Sequence, residues 1–114
     1  MQRHLLSSIS QIESFAENED VSIIFKHSVS CSISAVALNR LESASDRYPH
    51  IPIHYYYLDI FKYRDLSNSI ALMFDIEHES PQLLVLQNGK CIYSKSHLGI
   101  NLSDLNAFLN KNLS

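Results

Sequence analysis

The sequence is poor in glycine, proline and cysteine, with two, three and two of these residues in 114, and it has no tryptophan. Gly89 and Gly99 cannot supply the glycine-rich loops that bind dinucleotides or phosphates. Nine Lys and Arg against twelve Asp and Glu leave no basic cluster for nucleic acid. No uncharged stretch is long enough to span a membrane, and no export signal precedes Glu13. We therefore expect neither nucleic acid nor membrane as a partner, and a cytoplasmic location.

The composition is that of one compact domain. Apolar residues make up 46% of the chain and charged residues 18%. A chain of 13.0 kDa can bury about two-thirds of its unfolded surface. No repeat or linker divides it, so we treat residues 1–114 as a single domain. Six histidines offer candidate metal ligands, but the pairs with i,i+4 spacing, His27 with Cys31 and His50 with His54, do not lie on predicted helices. We expect no metal.

Hydrophobic patterns predict four strands. The nearly continuous apolar run over residues 21–25 predicts a central strand that is buried on both faces. A tyrosine-rich strand over residues 53–60 follows, with its three consecutive tyrosines packing on both faces. The Asn88-Gly89 pair predicts a hairpin between strands over residues 83–86 and 91–93.

Helical periodicity links these strands into an α/β fold. Helices are predicted over roughly residues 7–17, from Leu5 and Ile9 onward, and over roughly 31–46, with Ser30 as the N-cap. A third helical stripe runs over residues 66–74, and a closing helix begins near residue 102 with Asn101 or Ser103 as its cap. The order predicts a four-stranded mixed sheet flanked by helices, with a right-handed parallel crossover.

Cys31 is the strongest candidate for chemistry. It directly follows the predicted buried strand and lies in the first turn of the next helix, where unpaired N–H groups and the helix dipole favour an anion. A thiolate is the nucleophilic form of cysteine. Lys26 and His27 are close in sequence and offer additional positive charge, although they carry less weight than the helix. A buried, purely structural cysteine is the alternative interpretation.

The segment from Cys31 to Ser34 is a C-x-x-S motif. The position at which a dithiol oxidoreductase carries its second thiol therefore holds a hydroxyl. Ser34 can hydrogen-bond a thiolate but cannot form a disulfide, so a mixed disulfide at Cys31 must be released by an outside thiol. This predicts a monothiol mechanism in which Ser34 positions or stabilises the thiolate.

The chain resembles the monothiol bacilliredoxin family, which comprises thioredoxin-like general stress proteins, over nearly its full length. The segments that carry the resemblance are FKHSVSCSIS (25–34), LSN (66–68), HESPQ (78–82), QNG (87–89) and Ser96-His97. The resemblance implies a thioredoxin-like fold, a cytoplasmic location, and removal of bacillithiol from S-thiolated client proteins through Cys31. It implies no tightly bound cofactor, and bacillithiol as the thiol co-substrate.

Two further features belong to this resemblance. Ser32 stands where the family pattern has a proline, which affects the redox tuning of the thiol rather than its placement. Ser80-Pro81 matches the cis-proline that faces the cysteine in thioredoxin-like folds, where backbone pairing holds an extended substrate. The predicted substrate contacts are Ser30, Ser32, Ser80 and Pro81.

The sequence leaves open alternatives to a single-cysteine oxidoreductase. Cys91 falls in a predicted strand, which favours a structural cysteine over a resolving thiol for Cys31. An iron–sulfur cluster carrier of the monothiol glutaredoxin type would bridge a cluster between two chains. A non-catalytic stress-response module would accept a thiol adduct without turning over clients.

Overall fold

A five-stranded mixed sheet forms the centre of the computed structural model, which describes residues 2–44 and 54–113. The strands are β1 (Gln2–Leu5), β2 (Ser22–His27), β3 (His54–Asp59), β4 (Gln82–Gln87) and β5 (Lys90–Ser96). The helices are α1 (Ile9–Glu17), α2 (Ser32–Ala44), α3 (Arg64–Met73) and α4 (Leu102–Leu113), and a 3-10 turn covers His97–Gly99. The predicted end of the second helix at residue 46, the candidate ligand His50 and the predicted strand start at residue 53 lie outside the described residues.

The prediction of four strands was wrong because it missed β1. The strands run in the order β1-β3-β2-β4-β5, with β1, β3 and β2 parallel and with β4 and β5 antiparallel to their neighbours. β1 is a sheet edge of four residues, none of them buried. An exposed edge strand of mixed polarity carries no alternating apolar signal in the sequence.

The central position predicted for the strand near residues 21–25 is confirmed. All six residues of β2 are buried, and the strand lies between β3 and β4. Its side chains alternate between two apolar clusters, as the two-residue period of a strand requires. Phe25 packs with one cluster and Ile24 with the other.

Helices cover both faces of the sheet. The Phe25 face packs against Ala37 and Leu41 of α2 and against Leu105 of α4. The opposite face packs against α1 and α3, through Ile12, Phe15, Ile70 and Phe74. Leu41 is fully buried, so truncation to alanine would cost about 2–5 kcal/mol. This packing fixes α2, whose first turn follows Cys31.

The first helix begins later than its apolar spacing predicts. Leu5 and Ile9 are exposed, whereas Leu6 is buried, so the apolar stripe of α1 does not extend back to Leu5. The side chain of Gln11 accepts hydrogen bonds from the backbone N–H groups of Ser7 and Ser8 at 2.8 and 3.0 Å. These bonds satisfy donors that the helix start leaves without partners, and they end the preceding strand segment.

The Asn88-Gly89 hairpin is confirmed. Asn88 and Gly89 have φ values of 54° and 74°, as the tight turn between β4 and β5 requires. A Cβ atom at Gly89 would lie 2.9 Å from the backbone oxygen of Ala16. Glycine is therefore needed both for the turn and for the close contact with α1.

The three tyrosines of β3 pack on both faces of the sheet, as predicted, since Tyr55 and Tyr57 join one apolar cluster and Tyr56 the other.

The closing helix begins at Leu102, with Asn101 as the residue that caps it. The Asn101 side-chain oxygen accepts a hydrogen bond from the Asp104 backbone N–H at 2.8 Å. Within the described residues, none of the helices has both the length and the apolar character that a membrane crossing requires.

Candidate active site

Cys31 lies between the end of β2 and the first turn of α2. Its backbone N–H donates to the carbonyl of Ser28 at 3.2 Å, and its carbonyl accepts from the Ala35 N–H at 3.1 Å. Cys31 itself thus occupies the cap position, and the prediction of Ser30 as the N-cap was wrong by one residue. The first-turn N–H groups of a helix lie at the positive end of its dipole, and Cys31 lies next to them.

The surroundings of Cys31 are accessible and partly apolar. The cysteine is partly exposed, and the adjacent Val29 and Ile33 are 62% and 43% exposed. Ser30 and Ser32 are also exposed beside it. A nucleophile at the surface with apolar neighbours can be reached by a protein substrate as well as by a small thiol.

The Ser34 hydroxyl is buried and hydrogen-bonded below the cysteine loop. It accepts a hydrogen bond from the Ser28 N–H at 3.0 Å and lies 2.7 Å from Nδ1 of His27. Ser34 therefore ties the first turn of α2 to the loop that carries Cys31. The predicted contact between Ser34 and the thiolate stays a prediction.

His27 is buried at the end of β2, with its ring 5.3 Å from that of Tyr57. Burial, reinforced by the charge of Arg3, lowers the pKa of His27. The imidazole is consequently neutral near pH 7, and it shares a hydrogen bond with Ser34 rather than supplying positive charge. Its role in holding this loop was missed because the contact joins a strand end to a helix seven residues later.

The predicted cis peptide bond between Ser80 and Pro81 is confirmed. The next residue, Gln82, pairs with Lys26 of β2, so Pro81 lies at the same end of the sheet as the Cys31 loop. The Gln82 side chain braces the segment before the proline, since it donates to the carbonyl of Glu77 at 2.9 Å and accepts from the N–H of Glu79 at 3.3 Å.

Cys91 lies toward the opposite end of the sheet. It pairs with Leu86, which in turn pairs with Ser22 at the start of β2. The rise of a strand places Ser22 about 16 Å before His27, whereas a disulfide requires Cα atoms within about 7 Å. Both cysteines are free thiols. Burial raises the pKa of the Cys91 thiol, whose sulfur donates to the Tyr93 carbonyl at 3.4 Å.

A second polar cluster lies on the other face of β2. Lys26 is fully buried, and its ammonium group lies 3.2 Å from Nδ1 of His78 and 3.4 Å from the carbonyl of Ser67. Burial lowers the pKa of Lys26 to about 8. A lysine within an otherwise apolar strand is the sequence signal for this cluster. The sequence pattern alone indicated Lys26 only as a source of positive charge near Cys31.

The fold and the cysteine at the start of α2 define a thiol oxidoreductase of the thioredoxin class. A model of the monothiol bacilliredoxin BrxC family matches residues 4–105. The chain belongs to the monothiol bacilliredoxin family.

Solved structures support the same class. The chain is similar to a candidate oxidoreductase with a thioredoxin fold, at 35% identity over 92% of this chain and 91% of that one, with a TM-score of 0.77. The thioredoxin Mala s 13 of Malassezia sympodialis aligns over 100% of this chain and 92% of its own, at 20% identity and a TM-score of 0.69. The oxidised thioredoxin of Plasmodium falciparum aligns over 99% and 100%, at 19% identity and a TM-score of 0.64. These two thioredoxins show the shared fold.

Proposed function

We propose that this protein is a monothiol bacilliredoxin that removes bacillithiol from S-bacillithiolated proteins, with Cys31 as the nucleophile. One observation carries the proposal: Cys31 is a partly exposed thiol at a helix start, while the C-x-x-S position holds a serine and Cys91 lies beyond disulfide reach. A cycle confined to one protein thiol needs a small thiol to complete it.

The first step is attack of the Cys31 thiolate on the bacillithiol sulfur of the mixed disulfide. The bond between client and bacillithiol sulfurs breaks, and the client leaves as a thiolate that takes up a proton. Cys31 then carries bacillithiol in a new disulfide. In the second step a bacillithiol thiolate attacks the bacillithiol sulfur of this adduct. Bacillithiol disulfide forms and the Cys31 thiolate is regenerated. Overall, the sulfur of the incoming bacillithiol is oxidised to the disulfide level as the client sulfur is reduced to a thiol, and the bacillithiol sulfur that came from the client stays at the disulfide level.

The surrounding residues have separate roles in this proposal. Ser34 positions the loop and the thiolate, since its hydroxyl already joins α2 to Ser28. The backbone of Ser80 and Pro81 pairs with the extended client segment, as in strand addition. Ser30 and Ser32, which are exposed beside Cys31, contact the client. No tightly bound cofactor takes part, and a cytoplasmic location suits the reducing thiol pool that the cycle consumes.

The test uses a bacillithiolated model protein with reduced wild-type protein and with the Cys31→Ala and Cys91→Ser variants. Intact mass and client release are measured over time in the presence of bacillithiol. We expect catalytic release by the wild type and by Cys91→Ser, an adduct confined to Cys31, and no release by Cys31→Ala.

Other outcomes distinguish the alternatives. A stable Cys31 adduct without turnover would identify a passive thiol-binding module. Absence of any adduct, together with a coloured dimer after anaerobic reconstitution with iron and sulfide, would identify a cluster carrier. Loss of turnover in Cys91→Ser would assign a resolving role to Cys91 and reject the single-thiol cycle.

A further inference from the structure

A buried lysine in the central strand lacks the partner that a buried charge usually has. Lys26 is fully buried, and its ammonium contacts only neutral groups, the Ser67 carbonyl and the His78 ring. Across residues 2–44 and 54–113, the ion pair that forms joins Arg3 and Glu42, and no carboxylate reaches Lys26. A buried ammonium without a carboxylate is costly to maintain, which points to an anion that comes from outside the chain.

A cavity of about 270 Å³ borders this lysine. Its walls are formed by Ile60, Arg64, Ser67, Asn68 and His78. Ser67 and His78 both belong to the cavity wall and contact the Lys26 ammonium, and the Ser67 hydroxyl lies 3.1 Å from Nδ1 of His78. The lysine therefore lies directly behind the cavity wall, and its positive charge acts through that wall.

The charges around the cavity favour an anion. Arg64 and Asn68 supply N–H donors, and the lining contains no acidic residue. Burial, with the charges of Lys26 and Arg64, lowers the pKa of His78, while Glu79 opposes that effect. His78 is thus neutral near pH 7, and Lys26 and Arg64 carry the positive charge. A guanidinium can bind a carboxylate through two parallel hydrogen bonds.

The cavity lies at the reactive end of the sheet. Ile60 directly follows β3, and its N–H donates to the carbonyl of His27 at 3.1 Å. His78 belongs to the segment that leads into the cis bond before Pro81. The cavity therefore borders the strand that leads to Cys31 and the segment that leads into the cis bond, at the same end of the sheet as Cys31. Ligands of open α/β sheets bind beyond the carboxyl ends of the strands.

We infer that this cavity binds a carboxylate group of the low-molecular-weight thiol that reacts at Cys31. Arg64 and Asn68 contact the carboxylate, and Lys26 supplies charge from behind the wall. The identity of the ligand as a thiol rests on the proposed function, whereas the cavity's preference for an anion rests on the residues that surround it.

The kinetic test compares two thiols that differ in charge. Protein that carries 2-mercaptoethanol as a mixed disulfide on Cys31 is reduced either by mercaptosuccinate, which has two carboxylates, or by 2-mercaptoethanol, which has none. In each case the incoming thiolate attacks the outer sulfur and releases the Cys31 thiolate, which intact mass detects. We expect Arg64→Gln to lower the ratio of the mercaptosuccinate rate to the 2-mercaptoethanol rate by about fivefold. Lys62→Gln removes a nearby charge outside the cavity and should leave the ratio unchanged.

A binding test is independent of turnover. Succinate is titrated into reduced wild-type protein while backbone amide NMR signals are followed. We expect saturable shifts at Asn68 and His78, weaker binding to Arg64→Gln by about fivefold, and no such shifts with the neutral analogue succinamide. Lys26→Met, where it folds, should weaken binding in the same way without altering the cavity lining.

The outcomes separate this inference from the proposed function. Shifts that do not saturate, or that are unchanged by Arg64→Gln, would overturn the anion site even if Cys31 turns over. An unchanged thiol ratio in Arg64→Gln would overturn the assignment of the ligand as the reacting thiol. Saturable succinate binding without any turnover on a bacillithiolated client would reject the proposed function and leave the anion site standing.

Discussion

Cys31 and Cys91 carry the same thiol group in different surroundings. Cys31 follows the central strand, lies at the cap position of α2 and is partly exposed. Cys91 lies in β5, packs against the apolar cluster beneath α1 and α3, and has a thiol pKa raised by burial. The difference teaches that the place of a cysteine in the fold, and not the residue type, decides whether its thiol is available to a substrate.

The largest expected effect comes from giving Cys31 a second thiol that is close enough to form a disulfide. Ser34→Cys creates a C-x-x-C motif at the start of α2, where two thiols one helical turn apart can form a disulfide. We expect essentially complete loss of two hydrogens on mild oxidation, detected by intact mass, and no such loss in wild type. A variant that keeps both hydrogens would contradict the helix start observed here.

Alkylation rates compare the reactivity of Cys31 and Cys91 in the wild-type protein. We expect iodoacetamide to label Cys31 at least about tenfold faster than Cys91 at pH 7, because burial raises the pKa of the Cys91 thiol and so lowers its thiolate fraction. Peptide mass spectrometry after short labelling gives both rates in one sample. In 6 M guanidinium chloride the two rates should converge, and equal rates in the native protein would remove the distinction between the sites.

Ser34→Ala tests what holds the Cys31 loop. The substitution leaves the Ser28 N–H and the His27 ring without their buried partner, so we expect a loss of about 1 kcal/mol in the free energy of unfolding. Urea denaturation measures this loss. Ser103→Ala, at an exposed helical position, is the matched control and should change stability by less than about 0.5 kcal/mol. Equal effects would mean that the Ser34 network contributes nothing specific.

Sequence patterns predicted the parts of the fold that depend on local signals. The buried β2 run and the Asn88-Gly89 turn were found because burial on both faces and positive φ each demand particular residues. β1 was missed because an exposed edge strand needs no apolar pattern. Cys31 was placed correctly at the helix start, although the cap lies one residue later than predicted.

The rest of the site depends on contacts between distant segments. The Lys26 cluster joins residues from β2, α3 and the loop before Pro81, and no spacing in the sequence relates them. The hydrogen bond between Ser34 and His27 is also a tertiary contact, since it forms only when α2 packs over the end of β2. Such contacts require the three-dimensional arrangement, whereas the position of Cys31, the nucleophile in our proposal, follows from the order of strand, loop and helix.

A pH-dependent effect concerns Lys26, which lies on the same face of the sheet as Cys91. Its pKa is lowered from 10.5 to about 8 in the folded protein, chiefly by burial. Between about pH 8 and 10.5 the unfolded chain binds more protons at this residue, so its contribution to stability increases with pH in that window. Tyr55 and Cys91, whose pKa values are raised by burial, act in the opposite direction. The charge of Lys26 lowers the pKa of Cys91, so its loss in Lys26→Met raises that pKa further and moves the difference between the two proteins in the same direction. The difference in urea midpoint between wild type and Lys26→Met should therefore shift in favour of wild type as pH rises from 8 to 10, and a constant difference would show that the ammonium is not buried.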